Sequence, residues 1–489
     1  MNPKYLSLMI AAALSAAAMN ANASGYRFGS QSVSGQGTAD ANSAEAADAS
    51  TIFANPAGLT RLDGIQFTGG ITGVIPHSKY TDHGSTNFVG KPTGGVTETD
   101  DFAPKAVAAP NLYASAKLND QWAVGLGMFV PYGAKLDYDN NWAGRYALTK
   151  IDLKSATFNP TVAFKLNEQH SFGFGIDAEY MKAELGQAVD VPGSIYALST
   201  NPALAANSAA LQQAMAMAMI KAGANPATVA ATLKATLAAA KDGHATMDGK
   251  DWGVGFNLGY MFNYSQDTRF GFSYRSSIHH KLKGGANWDF SQVTTDASVN
   301  AILQQSSRKK NSPALVDLRT PETLSVNVFS QIDPKLALMG DVTYTRHSRL
   351  KDLNIQFVGT GEGDEVISQQ WDNSIRASLG MNYKLDEAWM LRAGVAIDTT
   401  PVPNESKRHA ALPDSDRYQF SLGANWKLSA NSSIDLAYTF MHFDDANSTY
   451  KNNCSPLAPA GTCTGNGETT VGTWKTRMHL LGLAYNYKF

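Results

Sequence analysis

Apolar residues alternate with polar residues or glycine along almost the whole chain, and this feature constrains the fold most. In the segment 252–262 one face carries large apolar side chains: Trp252, Val254, Phe256, Leu258, Tyr260 and Phe262. Period-two alternation is typical of a β-strand with one face in apolar surroundings. A soluble sandwich would alternate too. Here, however, aromatic residues end the apolar faces, while the opposite faces carry glycine and ionised groups, which favours lipid outside and a wet interior.

Fourteen segments carry the alternation, near 64–76, 106–118, 121–138, 150–166, 170–186, 247–263, 268–286, 314–332, 335–358, 367–384, 388–399, 415–428, 432–446 and 472–489. An even number is usual for a single-chain outer-membrane barrel. The last segment keeps its apolar face up to Phe489, which resembles the C-terminal signal of bacterial outer-membrane barrels. We therefore predict an all-β fold, a fourteen-stranded antiparallel transmembrane β-barrel over residues 64–489.

The segments are joined by two kinds of connection. Short polar turns that begin with Lys-Leu recur at 117–122, 165–170, 384–389 and 427–432. Short turns at one end and long loops at the other fit periplasmic turns and extracellular loops. The loop 193–246 is rich in Ala and Met, and Asn201 and Asn225 each precede a proline. Asn as a cap with Pro next to it starts a helix, so we predict two helices that pack on the barrel mouth.

The N-terminal part has a different composition. Lys4, an apolar run and the small residues Ala21 and Ala23 predict a cleaved signal peptide over 1–23 and hence export. The segment Ser24–Asp63 is small, polar and rich in Gly, Ala and Ser, so it could not bury enough apolar surface to fold alone. Placed ahead of a strand array, it is predicted to be a hatch, a plug that the barrel encloses.

The chemistry-bearing residues point away from catalysis. The chain has no HExxH, no Gly-x-Ser-x-Gly and no phosphate loop, so we predict no enzyme, no catalytic residues, no cofactor and no metal. The net charge of −2 gives no reason to expect nucleic acid. The two cysteines, Cys454 and Cys463, share a Gly/Pro loop, and a disulfide is expected in an oxidising compartment. Metal binding is the lesser reading, because no histidine lies between them.

The third segment is interrupted by Pro131, Tyr132 and Gly133. Proline cannot donate to the strand ladder, and glycine often marks a bulge or bend. At membrane depth every backbone group needs a partner. A break there therefore implies either that another segment fills it or that the wall has a functional opening. Alternatively the break lies above the membrane, at the loop end. The sequence pattern leaves both readings open.

An ordered set of motifs resembles the FadL-type outer-membrane transporters of long-chain fatty acids and other hydrophobic compounds. The resemblance covers the chain from Ser24 to the end. The residues that carry it are Ser24-Gly25-Tyr26, Asn55-Pro56-Ala57, Asn111-Leu112-Tyr113, Trp142–Arg145, Phe270–Ser276, Pro321-Glu322-Thr323, Thr343–Ser348, Thr400–Pro403 and Pro413–Arg417.

The resemblance implies passive, hatch-gated uptake through a lateral opening at the third-strand kink, which Pro131, Tyr132 and Gly133 occupy here. It implies a ligand between hatch, wall and helical loop, with Phe28 among the hatch residues. Lys182 occupies a basic position of the family, and Arg349 and Lys351 lie near a second one, which is Asn354 here. We take these three cations as head-group candidates. The expected partners are a long-chain fatty acid or similar molecule and outer-membrane lipid, and a monomer is expected.

Two alternatives remain from the sequence. The first is uptake of aromatic hydrocarbons by the same route. The second is a barrel for surface recognition or adhesion through the loops 193–246 and 446–471.

Overall fold

The computed structural model describes residues 26–489. The predicted signal peptide, and Ser24 and Gly25 of the hatch, lie outside the described residues. Among residues 26–489, no helix combines the length and the apolar character needed to cross a membrane.

In the described part of the chain, twenty-one strands form one closed sheet. They are β1 (Ile65–Asp82), β2 (Glu98–Thr99), β3 (Val107–Lys117), β4 (Trp122–Phe129), β5 (Gly133–Asp137), β6 (Lys150–Lys165), β7 (His170–Val189), β8 (Gly243–Asn263), β9 (Thr268–Arg275), β10 (His279–Asp289), β11 (Ser312–Arg319), β12 (Thr323–Gln331), β13 (Leu336–Thr345), β14 (Asp352–Phe357), β15 (Glu365–Ser368), β16 (Ser374–Lys384), β17 (Trp389–Asp398), β18 (Arg417–Lys427), β19 (Ser432–Phe443), β20 (Ala446–Lys451) and β21 (Thr469–Lys488).

These strands make fourteen antiparallel spans, which confirms the predicted barrel. Within residues 26–489 six spans consist of two successive strands: β4–β5, β9–β10, β11–β12, β13–β14, β15–β16 and β19–β20. The first and last spans close the barrel, with register running from Gln66 opposite Lys488 to Asp82 opposite Gly472. Closure leaves no open sheet edge between the first and last spans, which a lipid environment requires.

The alternation in the sequence becomes the two faces of the wall. Along β21 Leu481 and Leu483 are about half exposed, at 54% and 51%, whereas Leu480 and Ala484, on either side of them in the strand, are buried. Exposed apolar side chains on the outer face are those that lipid covers. The short connections carry Asn, Asp or Ser whose side chain accepts backbone N–H groups. Asn119, for example, accepts from Gln121 and Trp122, both at 2.9 Å.

The hatch lies inside the barrel. It contains the short helices α1 (Val33–Gln36) and α2 (Thr51–Ala54) and a 3₁₀ turn, Pro56–Arg61. Its apolar residues pack on different parts of the wall. Val33 contacts Ala437 and Ala484, and Ala41 and Ala44 pack against Phe329 and Met339. Contacts on several sides of the lumen show that the segment fills the barrel rather than lying on its rim.

The outer loops carry the longer helices: α3 (Val191–Thr200), α4 (Ala205–Lys221), α5 (Val229–Ala238) and α6 (Ala297–Ser306). Met215, Met219 and Leu233 of the first loop pack with Trp288 and Leu303 near the second. The two helices predicted after Asn201 and Asn225 correspond to α4 and α5, and the loop contains a third helix, α3, which ends at Thr200, ahead of the predicted pair. The loop between β20 and β21 carries a disulfide between Cys454 and Cys463, with Cα atoms 5.8 Å apart.

Candidate transport site

The wall is interrupted between the second and third spans. β4 pairs with β3 on one side and β6 on the other, but within residues 26–489 β5 pairs with β6 alone. The pairing of β3 with the third span stops at Leu112 opposite Met128. The predicted gate residues Pro131 and Tyr132 lie between β4 and β5, and Gly133 begins β5. The structure therefore places the kink where the two spans separate.

The first described residues of the hatch cover the free edge. The N–H of Phe28 donates to the carbonyl of Pro131 at 2.8 Å, and the N–H of Gly133 donates to the carbonyl of Tyr26 at 2.9 Å. Gln31 adds two side-chain bonds to Val130, donating to its carbonyl at 2.6 Å and accepting from its N–H at 3.0 Å. Tyr132 meanwhile stays bonded to Ser155 of β6. The backbone groups of Val130, Pro131 and Tyr132 thus have partners, as membrane depth demands.

An apolar cavity adjoins the covered break. Its lining comes from β5 to β8, β10, β11, β14, β15, residues next to these last two strands and the loop 399–416. It includes Ala134, Leu153, Leu282, Leu318, Leu350 and Leu412. Tyr26 forms part of the lining, with its ring centroid 5.4 Å from that of Tyr132 and 6.1 Å from that of Trp371. Burial lowers the pKa of His409, in the loop 399–416, to about 4. This histidine is therefore neutral near pH 7 and brings no cation to the cavity.

The three head-group candidates do not line this cavity. Lys182 lies in β7 between Met181, which is buried inside, and Ala183, which lines the cavity. Because successive residues of a strand face opposite sides, Lys182 lies on the outer face. Arg349 Nη2 lies 2.8 Å from Glu322 Oε2, and Lys351 Nζ donates to the carbonyl of Trp371 at 2.8 Å. The structure therefore does not bring these cations together.

The Asn-Pro-Ala motif of the hatch docks against glycines of the wall. Asn55 caps the 3₁₀ turn by accepting from the N–H of Ala57 at 3.1 Å, and it donates to the carbonyl of Tyr260 at 3.1 Å. A Cβ at Gly259 would lie 2.2 Å from Asn55 Oδ1, and one at Gly173 would lie 2.4 Å from the N of Ala57. Only glycine permits this approach. The glycines on the inner strand faces were visible in the sequence, but their hatch partner was not.

Arginines of the wall hold the middle of the hatch. Arg269 donates to the carbonyls of Ala44 and Glu45. Arg376 donates to the carbonyl of Ala39 at 2.7 Å. Hydrogen bonds from a charged donor are strong. Here they also give partners to backbone carbonyls of the hatch, which has little regular structure to pair them. The hatch is thus fixed at its centre by cations, whereas backbone bonds and Gln31 attach its first described residues to the break.

A closed outer-membrane barrel with an internal hatch, a covered break in its wall and an adjoining apolar cavity defines the class of this protein. The family model described as outer membrane protein transport protein (OMPP1/FadL/TodX) matches residues 14–489. The chain belongs to this family of outer-membrane transporters of hydrophobic compounds.

Relatives across the family are similar over most of their length. The chain is 35% identical over 482 residues to a putative outer membrane protein, NMB0088, of Neisseria meningitidis serogroup B, covering 97% of this chain and 96% of the relative. It is 28% identical over 437 residues to the long-chain fatty acid transport protein of Escherichia coli O6:H1, covering 88% and 90%. The crystal structure of a Pseudomonas aeruginosa FadL homologue matches its fold, with a TM-score of 0.76, 22% identity and coverage of 95% and 99%.

Proposed function

We propose that this protein takes up long-chain fatty acids or similar hydrophobic molecules by passive diffusion and releases them sideways into the outer membrane. In this proposal Pro131, Tyr132 and Gly133 form the lateral gate and hatch residues 26–31 are its movable cover. The observation that carries it is the replacement of β3 by Tyr26 and Phe28 as the partners of the third span. A segment bonded by a few hydrogen bonds can leave that edge without breaking the barrel, which closes elsewhere.

Lateral release agrees with the energetics of an apolar cargo. Each CH₂ group exposed to an aqueous lumen costs about 0.8 kcal/mol. A route from an apolar cavity directly into lipid avoids most of that cost. The cavity beside the break, lined mainly by aliphatic side chains, supports this route. Aromatic hydrocarbons are the second substrate class, and the absence of a basic side chain among the described lining residues favours them.

A reversible tether tests the gate. Arg27 and Tyr132 face each other as an antiparallel bridge. The flanking bonds make them a non-hydrogen-bonded pair, whose Cα atoms lie about 4.5 Å apart, within the range a disulfide spans. We would introduce Arg27→Cys and Tyr132→Cys in a Cys454→Ser, Cys463→Ser background. Uptake of radiolabelled oleate by cells without another such transporter should fall when the tether is oxidised and return on reduction.

The matched control ties down the far end of the hatch instead. The hydroxyl of Thr60 lies 3.1 Å from that of Ser171 in β7, so Thr60→Cys with Ser171→Cys in the same background provides a second tether. Its oxidation should leave uptake unchanged. Normal uptake with the first tether closed would show that cargo takes another path. No uptake by the wild type at all would favour the surface-recognition role.

A further inference from the structure

Six short turns join successive spans at one end of the barrel within residues 26–489, and each begins with a large apolar residue. The N–H of this first residue donates to the carbonyl four positions later, at 2.9 Å from Leu118 to Trp122 and 3.0 Å from Leu385 to Trp389. The first residue of each turn thus still pairs with the next strand, which fixes the direction of its side chain. All six are well exposed, between 44% and 69%: Leu118, Leu166, Tyr264, Ile332, Leu385 and Leu428.

These side chains continue the lipid-facing side of the wall. In β16 Leu379, Met381 and Tyr383 are exposed, and Leu385 follows them with the same period of two. The exposed positions of β3, β6, β8, β12 and β18 lead into their turns in the same way. Phe489 continues the exposed face of β21 at the same end of the barrel. We call these seven side chains, the six turn residues and Phe489, the collar.

Tryptophans mark the level of the collar in the membrane. Trp122 lies directly opposite Leu118 across their turn. Trp389 lies opposite Leu385, and its ring stacks on that of Trp426 with centroids 5.4 Å apart. Tryptophan is enriched where a membrane meets water, because its ring is apolar and its N–H is polar. Apolar side chains at the level of these tryptophans therefore lie in the headgroup layer.

The charges of these turns are largely paired within them. Three of the four Lys-Leu turns hold their lysine near the acid three positions later: Lys117 with Asp120, Lys165 with Glu168 and Lys384 with Glu387. The last two pairs have N–O distances of 2.7 and 2.6 Å. A turn paired in this way offers the membrane an apolar contact rather than a free cation, so the contact does not require anionic lipid.

We propose that the collar is inserted in the inner leaflet of the outer membrane, where its side chains contact zwitterionic phospholipid and fix the depth of the barrel. The observation that carries the proposal is the continuation of the lipid-facing period of two into all six turns. The charged tips of the turns, such as Asp120, Glu168 and Glu387, reach the periplasmic water. The proposal is independent of the cargo and of the gate.

Nitroxide labels on single cysteines test the depth of the collar. Leu118→Cys, Leu166→Cys and Leu385→Cys would each be made in a Cys454→Ser, Cys463→Ser background of the full protein and placed in phosphatidylcholine vesicles. Electron paramagnetic resonance would measure how often each label collides with oxygen, which concentrates in lipid, and with a neutral nickel chelate, which stays in water. The collar labels should meet oxygen more often, and the nickel chelate several-fold less often, than labels at control positions.

The matched controls lie two residues further along the same turns, where the side chains are between 89% and 102% exposed: Asp120→Cys, Glu168→Cys and Glu387→Cys. Equal nickel access at collar and control positions would overturn the proposal and leave this rim free for a periplasmic protein. Adding phosphatidylglycerol to the vesicles should leave nickel access unchanged. Protection of the collar labels only in the presence of this anionic lipid would assign the insertion to the lysines, and the proposed apolar contact would be wrong.

Discussion

Phe28 and Pro131 are joined by a backbone hydrogen bond of 2.8 Å, donated by the hatch to the broken third span. Two bonded strands of a barrel normally come from its wall, yet here one partner belongs to the plug. Loosening the start of the hatch and uncovering the edge of the wall are consequently the same event. This coupling would let a ligand that displaces Tyr26 from the cavity also expose the break.

Restoring regular strand chemistry at the kink should reduce uptake. Pro131→Val supplies the missing N–H, and Gly133→Val favours extended backbone. The new N–H of residue 131 lies on the edge that the hatch covers, opposite Phe28, so both changes strengthen pairing at that edge and hold it closed. We expect uptake of radiolabelled oleate to fall strongly at equal surface expression. Pro76→Val is the control, because Pro76 lies in β1 opposite Met478 in a fully paired region. Unchanged uptake in the double variant would argue against the gate.

A side chain at Gly259, where Asn55 of the hatch approaches the wall, should detach the hatch from the wall. Gly259→Ala places a Cβ where Asn55 now lies, at 2.2 Å from its Oδ1. Overpacking of this kind typically costs about 1–3 kcal/mol. We expect faster hydrogen exchange in residues 50–62, while heat-modified gel migration still reports a folded barrel. Gly73→Ala is the control, since its nearest contact would be 3.8 Å away. Equal hydrogen exchange of residues 50–62 in both variants would contradict the role of Gly259 in docking the hatch.

Much of the wall could be predicted from the sequence, because lipid and lumen impose a period of two on every span. The break at Pro131 was visible for the same reason, since proline disrupts that period. The sequence did not show that the hatch covers the break. The bonds of Tyr26 and Phe28 to the third span join residues about a hundred positions apart and use backbone atoms, which leave no mark on residue type. Helix α6 was missed because its ten residues, Ala297–Ser306, have no proline or glycine to mark their ends.

The outer loop before β21 should lose stability as the pH rises. Burial is the largest cause that raises the pKa of Glu468 to about 8, and the charge of Glu365 adds to it. Asn452 hydrogen-bonds with this residue and opposes the shift. The folded loop therefore holds a proton that the unfolded chain releases near pH 4.5, so the contribution of Glu468 is fully present below that pH. Stability must fall between about pH 4.5 and 8.

Hydrogen exchange of residues 452–468, compared at each pH with Glu468→Gln, measures this effect without interference from intrinsic exchange chemistry. The wild-type loop should become less protected relative to the variant as the pH increases from 5 to 9. A constant difference between the two proteins would mean that Glu468 does not titrate in this range.

The last prediction concerns Lys182, which the resemblance placed near a fatty-acid head group. In the structure the lining of the cavity includes Ala183, whereas Lys182 shares the outer face of β7 with Ile176 and Tyr180. A change of one position in a strand exchanges the lumen for the outside, so a match of residue type alone could not decide the role of this lysine. We expect Lys182→Ala to leave the affinities for dodecanoate and dodecane unchanged in nanodiscs. A charge-assisted bond is worth about 1.5–3 kcal/mol, so a selective loss of dodecanoate by tenfold or more would return Lys182 to the binding site.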